Sequence, residues 1–110
     1  LVISTGAKPI VPEIKGLELM PHFTLRNIPD LDQIMKFIKE NNPQNVTVIG
    51  AGFIGLEVAE NLSKKGIKVT VIEKSPEVLP VLDLEMGAFA RETLLKQIMK
   101  QSKLIKRPFI

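Results

Sequence analysis

The 110-residue sequence contains no cysteine, no tryptophan and no tyrosine, and its single histidine is His22. Without cysteine the chain forms no disulfide, no thiolate metal site and no thiol nucleophile, a composition compatible with a reducing compartment. One histidine also excludes a multi-histidine metal centre. No Cys, Ser or acid partner is placed beside His22 by the sequence, so it reads as a surface residue rather than a catalytic one. No apolar run approaches the length of a membrane span, and the N-terminus has no basic segment leading into a hydrophobic signal core. The expectation is a soluble, cytoplasmic chain without a membrane partner. Net charge is only +3. A nucleic-acid surface would want a basic stripe interleaved with stacking aromatics, and Tyr and Trp are missing, so no nucleic-acid partner is expected. Lys96, Lys100, Lys103, Lys106 and Arg107 make a basic tail that reads as a solvated face.

What the chain does contain is centred on Asn45 to Lys74, NVTVIGAGFIGLEVAENLSKKGIKVTVIEK. A β-favouring run with Val46, Val48 and Ile49 bends at Gly50, Gly52 and Gly55. An apolar pattern of helical period follows, and a second β-favouring run from Val69 to Ile72 stops at Glu73. This spacing predicts one βαβ unit. Gly50 permits the tight turn, Gly52 lets the backbone approach a pyrophosphate, and Gly55 allows close packing of helix on strand. The helix then aims unpaired N–H groups and the positive end of its dipole at the phosphates. Three glycines alone are a weak signal, but both flanks supply the required context. Glu73 lies 18 residues beyond Gly55, where a carboxylate accepts hydrogen bonds from the ribose hydroxyls of an adenine dinucleotide. Glu73 favours NAD(H), because a 2′-phosphate beside it meets like charge. The neighbouring Lys74 leaves NADP(H) open.

Around this unit the chain is punctuated. Leu1 to Ser4 is a short β-type run entering the turn Thr5-Gly6-Ala7 with no element before it, as though the chain starts in mid-fold. Pro9, Pro12, Gly16 and Pro21 mark an extended connector, after which Phe23 to Arg26 reads as a brief strand. A first helix is expected between Asn27 and Asn42, with Asp30 and Gln33 as a capping-box-like start and Leu31, Ile34, Met35 and Ile38 as its packing stripe. In the central helix Ile54, Val58 and Leu62 share a side, and Gly66 stands where a left-handed C-terminal residue is wanted. Asp83 is a candidate N-cap for a third helix running to about Lys100, with Met86, Phe89, Ala90, Thr93, Leu94, Gln97 and Ile98 tracing an apolar face. Lys103 to Phe109 is a candidate third strand.

The resulting fold class is α/β: a partial Rossmann-like three-layer βαβ fold with a short parallel sheet. At 45% hydrophobic content the chain has enough for a core, yet it is too short for a six-stranded dinucleotide fold plus a substrate site. Residues 1–27 are expected to form a connector and residues 28–110 a partial dinucleotide-binding domain.

The order LVISTGA, PIVPEIKG, FTLRNIPD, VIGAGFIGLEVAENL and VTVIEKSPEVLP resembles the NAD(P)H-binding half of the FAD-dependent pyridine nucleotide-disulfide oxidoreductases. The nearest branch is that of coenzyme A-disulfide reductases and NADH oxidases or peroxidases. The resemblance covers roughly Leu1 to Lys100 and includes GxGxxGxE with its added Glu57; QSKLIKRPFI has no convincing match. It implies that Ser4, Thr5, Gly6 and Ala7 touch FAD near its pyrophosphate, with the connector belonging to the flavin domain. It implies that Gly50, Ala51, Gly52, Phe53, Ile54 and Gly55 cradle the NAD pyrophosphate. Phe53 falls where several members carry a tyrosine covering the flavin, and core packing is the competing account of that ring. Glu57 falls where the family has a glutamate near nicotinamide and flavin, against a plain exposed helix acid. The redox cysteine and the FAD site of the family are not in this sequence, so no catalytic residue is assigned. The implied function is to hold NAD(H) in an enzyme that passes hydride from NAD(P)H to FAD and on to a disulfide, peroxide or oxygen. Two other readings stay open: a stand-alone dinucleotide-binding module, and a structural remnant that binds nothing. A short parallel sheet also leaves edges on which a homodimer can form.

Overall fold

A computed structural model describes residues 1–75, 78–79, 82–97 and 103–106. The chain divides into two compact units, residues 1–42 and 43–110.

In the first unit the segment up to residue 14 forms no regular element, and Leu1, Val2, Ile3 and Ile10 are exposed. The expected irregular connector is broken once, by a single 3-10 turn at Leu17–Leu19 entered through Gly16 at φ 89°. The brief strand anticipated at Phe23 to Arg26 does not form. Phe23 instead stacks obliquely on Phe37, ring centroids 5.2 Å apart. Helix α1 (Ile28–Asn41) starts three residues earlier than the capping pair read from sequence. Asn27 is the N-cap, its side chain accepting the Asp30 N–H at 2.9 Å, while the Asp30 carboxylate accepts the Asn27 N–H at 3.1 Å. Aspartate thus takes the place usually given to glutamate in the reciprocal box. Asn42 closes the helix in the left-handed conformation at φ 44°. The stripe expected on α1 is only partly covered, with Leu31 44% and Met35 39% exposed.

The second unit is the βαβ unit and its continuation. β1 (Asn45–Ile49), α2 (Phe53–Lys64) and β2 (Lys68–Glu73) follow one another, then α3 (Leu84–Gln97) and β3 (Lys103–Lys106). The sheet is parallel with order β1-β2-β3 and register Val46 to Val69, Val48 to Val71, and Val71 to Leu104. That α/β architecture agrees with the sequence-based expectation, third strand included; residues 107–109 of the expected strand lie outside the described residues. Side chains alternate along β2, so Val69, Val71 and Glu73 share the buried face. Helix α2 covers β1 and β2 with Ala59 and Leu62, both buried. Ile54, assigned to that face from its spacing, is 62% exposed. It sits in the first turn of α2, close to its N-cap Gly52. The far end of α2 stops in a Schellman arrangement: Gly66 N–H bonds the Ser63 carbonyl at 2.9 Å and Ile67 N–H bonds that of Leu62 at 3.2 Å, with Gly66 at φ 82°. Asp83 caps α3 as expected, its carboxylate accepting the Met86 N–H at 2.9 Å. The apolar face read for α3 is not a buried one at Met86 and Phe89, which are 53% and 68% exposed, whereas Gly87 is buried. The side chains of Leu94 and Gln97, Ile98 itself and the helix's expected run to about Lys100 lie outside the described residues. Among the described residues no helix is long and apolar enough to cross a membrane.

Candidate functional site

The turn between β1 and α2 is held from three sides by backbone chemistry. Gly50, at φ 101°, donates its N–H to the Ile72 carbonyl of β2 at 2.8 Å. Only glycine takes that φ without strain. Ala51, with no exposed surface, donates its N–H to Glu73 Oε2 at 2.6 Å, and its carbonyl accepts the Leu79 N–H at 2.8 Å. A Cβ on Gly55 would overlap the Gly50 carbonyl oxygen, so the first turn of α2 presses directly on the turn. Gly52 is different. It is the N-cap of α2, no side chain caps the helix there, and a Cβ added to it would meet nothing within 4 Å. The first N–H groups of a helix have no intrahelical acceptor. The space in front of Gly52 therefore adjoins a run of donors and the positive end of the α2 dipole, which suits an anion that approaches the backbone closely.

Glu73 closes the other side. It is 7% exposed, with Oε1 accepting the Ser75 N–H at 2.7 Å and Oε2 accepting that of Ala51. Burial pushes its pKa up, but donation from the Ser75 and Ala51 N–H groups, the Ser75 hydroxyl and the Lys74 N–H outweighs burial and holds the carboxyl below its ordinary 4.5. The group is thus an anion held by several donors at the end of β2.

Beside the turn, Phe53, Leu56, Glu57, Glu60, Leu79 and Phe89 line most of a groove of about 340 Å³ between α2 and α3. Phe53 is 61% exposed on its rim. Core packing, the competing account of this ring, does not describe it.

The family model described as pyridine nucleotide-disulphide oxidoreductase matches residues 1–102. The chain belongs to the pyridine nucleotide-disulphide oxidoreductase family. An NADH oxidase of Methanocaldococcus jannaschii is 44% identical over 101 residues, 91% of this chain and 22% of that protein. A coenzyme A disulfide reductase of Staphylococcus aureus is 42% identical over 87 residues, 79% of this chain and 19% of that protein. Among solved structures, reduced Bacillus anthracis CoADR-RHD superposes with a TM-score of 0.83 at 46% identity, covering 93% of this chain and 18% of that one. The chain therefore spans about a fifth of the length of the relatives it matches.

Within this member of the pyridine nucleotide-disulphide oxidoreductase family, the residues singled out from sequence fall into three groups. Gly50, Ala51, Gly52, Gly55 and Glu73 form one connected structure, joined by the Ala51-to-Glu73 hydrogen bond. Phe53, Ile54, Glu57 and Lys74 stand exposed around it. Ser4, Thr5 and Gly6 belong to the first unit, where they are exposed and Gly6 takes φ 73°. Sequence reasoning missed Ser75 and Leu79: Leu79 acts through a backbone N–H that any residue but proline would provide, and Ser75 adds its hydroxyl to such an N–H. The available signal was the apolar pair Val78-Leu79 inside a loop, both buried.

Proposed function

We propose that this chain is the NAD(H)-binding part of a flavin-dependent oxidoreductase that passes hydride from NAD(P)H to FAD and on to a disulfide, peroxide or oxygen. The observation that carries the proposal is the open, uncapped N-terminus of α2 at Gly52, set beside a buried and ionised Glu73. In this reading the backbone from Gly50 to Gly55 holds the dinucleotide pyrophosphate, and Glu73, at the end of β2, accepts the adenosine ribose hydroxyls. Lys74, exposed beside it, meets the 2′ position. When bound, the nicotinamide supplies a hydride and the flavin accepts it. The chain's own residues bind and orient: Phe53 offers its ring at the rim of the groove, and Glu57 stands one turn further along α2. Ser4, Thr5 and Gly6 contact FAD in this reading, with residues 1–27 as a connector from the flavin domain and 28–110 as the dinucleotide-binding portion. The partners are then a dinucleotide, that flavin domain, and a second copy through the sheet edges; the setting is cytoplasmic.

Calorimetric titration of the chain with NADH and NADPH tests the reading. Saturable NADH binding is the expected result, tighter than that of NADPH and without turnover of a disulfide substrate. Tighter NADPH binding would overturn the role given to Glu73. Sustained NADH-dependent disulfide reduction by the 110-residue chain would overturn its assignment as a binding part only.

A further inference from the structure

We propose that Glu73 and Leu79 are positioning residues for the pyrophosphate site, gripping Ala51 at both of its backbone polar groups so that the N–H of Gly52 faces the ligand. The proposal rests on the dinucleotide reading above and assigns Glu73 a task separate from ribose recognition.

Two adjoining peptide planes make the case. The Gly50–Ala51 peptide presents its N–H to Glu73 Oε2 at 2.6 Å, while its carbonyl oxygen faces Gly55, where a Cβ would collide with it. The Ala51–Gly52 peptide presents its carbonyl to the Leu79 N–H at 2.8 Å. In a trans peptide the N–H points opposite to the C=O. Fixing the Ala51 carbonyl toward Leu79 therefore aims the Gly52 N–H the other way, away from the loop that carries Leu79. Glycine on both sides of Ala51 would otherwise let these planes rotate at little cost. The grip is made with unusual components. Leu79 holds its N–H in place from a left-handed conformation at φ 52°, which is costly for a residue with a branched side chain. Its side chain is buried at 9% exposure and lines the groove with Leu56 and Phe89. Glu73 makes short charge-assisted bonds to Ala51 and Ser75 from a site only 7% exposed. A carboxylate serving ribose alone would need neither of these bonds.

The test separates pyrophosphate from ribose. Dissociation constants are measured for ADP and for 2′,3′-dideoxy-ADP, which keeps the pyrophosphate and lacks the ribose hydroxyls, with the wild-type chain and with Glu73→Gln. Exchange of the Ala51 and Leu79 amides is read without ligand. The positioning role predicts that Glu73→Gln weakens both ligands by about tenfold, the effect of one or two lost charge-assisted hydrogen bonds, and that Ala51 loses protection while β2 amides keep theirs. Weakened ADP with unchanged dideoxy-ADP would reduce Glu73 to a ribose acceptor and overturn the proposal. A lower melting temperature with both affinities unchanged would also overturn it, leaving a purely structural role. Should Glu73→Gln fail to fold, Glu73→Asp keeps the charge but withdraws it by one methylene from Ala51, and the same loss on dideoxy-ADP is expected. A wild-type chain that binds neither ligand nor NADH would instead sink the dinucleotide reading, and this proposal with it.

Discussion

At the residue scale, the three glycines of the turn do different things, and substitution separates them. Gly55→Ala drives a methyl into the Gly50 carbonyl oxygen, an overpacking that should cost about 3 kcal/mol or more in chemical unfolding. Gly52→Ala meets open space and should cost only about 0.5–1 kcal/mol as a poorer N-cap, while its methyl occupies the proposed anion position and weakens NADH binding by an order of magnitude or more. Equal losses of stability and binding in both variants would contradict this division. Glu73 supplies a pH-dependent contribution of definite sign. Its pKa is lowered in the folded state, so the native chain binds fewer protons there than the unfolded one. The stabilisation is present above the ordinary carboxyl value of 4.5 and is lost as pH falls through the folded value. Thermal melts between neutral pH and pH 3 should show an acid limb that Glu73→Gln flattens; an unchanged limb would remove Glu73 as its source. The type and offset of these residues were legible in the sequence, because Gly50, Gly52, Gly55 and Glu73 are distinctive side chains, or distinctively lack one. The contact of Leu79 was not, since a backbone donor leaves no mark on residue identity, and the Ser75 hydroxyl reads from sequence only as a loop residue.

At the element scale, each helix is bounded by local chemistry that can be removed singly. Asn27→Ala deletes half of the reciprocal box at the start of α1 and should cost about 1 kcal/mol, with amides of the first turn exchanging faster. Gly66→Ala forces a Cβ into φ 82° at the end of α2, at a cost of about 1 kcal/mol; a neutral result would mean that the turn relaxes to a different closure. Among the described residues the periodicities placed the α-helices and the strands of the sheet, because an amphipathic period and a β-branched run survive any neighbour. They misplaced the faces. Ile54 and Phe89 fit a helical stripe yet are exposed, since a stripe states which residues want cover and not where cover is supplied. Likewise Phe23 to Arg26 has strand-like composition but pairs with no strand among the described residues. The start of α1 lies three residues before the Asp30–Gln33 pair: both pairs can close a box, but starting at Asn27 puts Pro29 in the first turn, where its missing N–H costs nothing.

At the scale of the whole molecule, apolar surface is the salient property. Parallel sheets are usually covered on both faces, yet Ile49 at the end of β1 is 40% exposed, and Phe53, Met86 and Phe89 are more so. The outer edge of β1 pairs with no other strand among the described residues. An open edge favours strand addition, so sedimentation across a wide concentration range should show reversible self-association, and a constant monomer mass would argue against pairing through the edge. The same surface accords with a chain that spans about a fifth of its relatives' length. Family membership was legible from the ordered motifs. The most direct test of the central claim is an amide-resolved NMR titration of the chain with NADH. The account predicts saturable shifts concentrated at Gly52, Phe53, Ile54 and Ser75; no saturable shift at millimolar NADH, or shifts confined to residues 1–42, would contradict it.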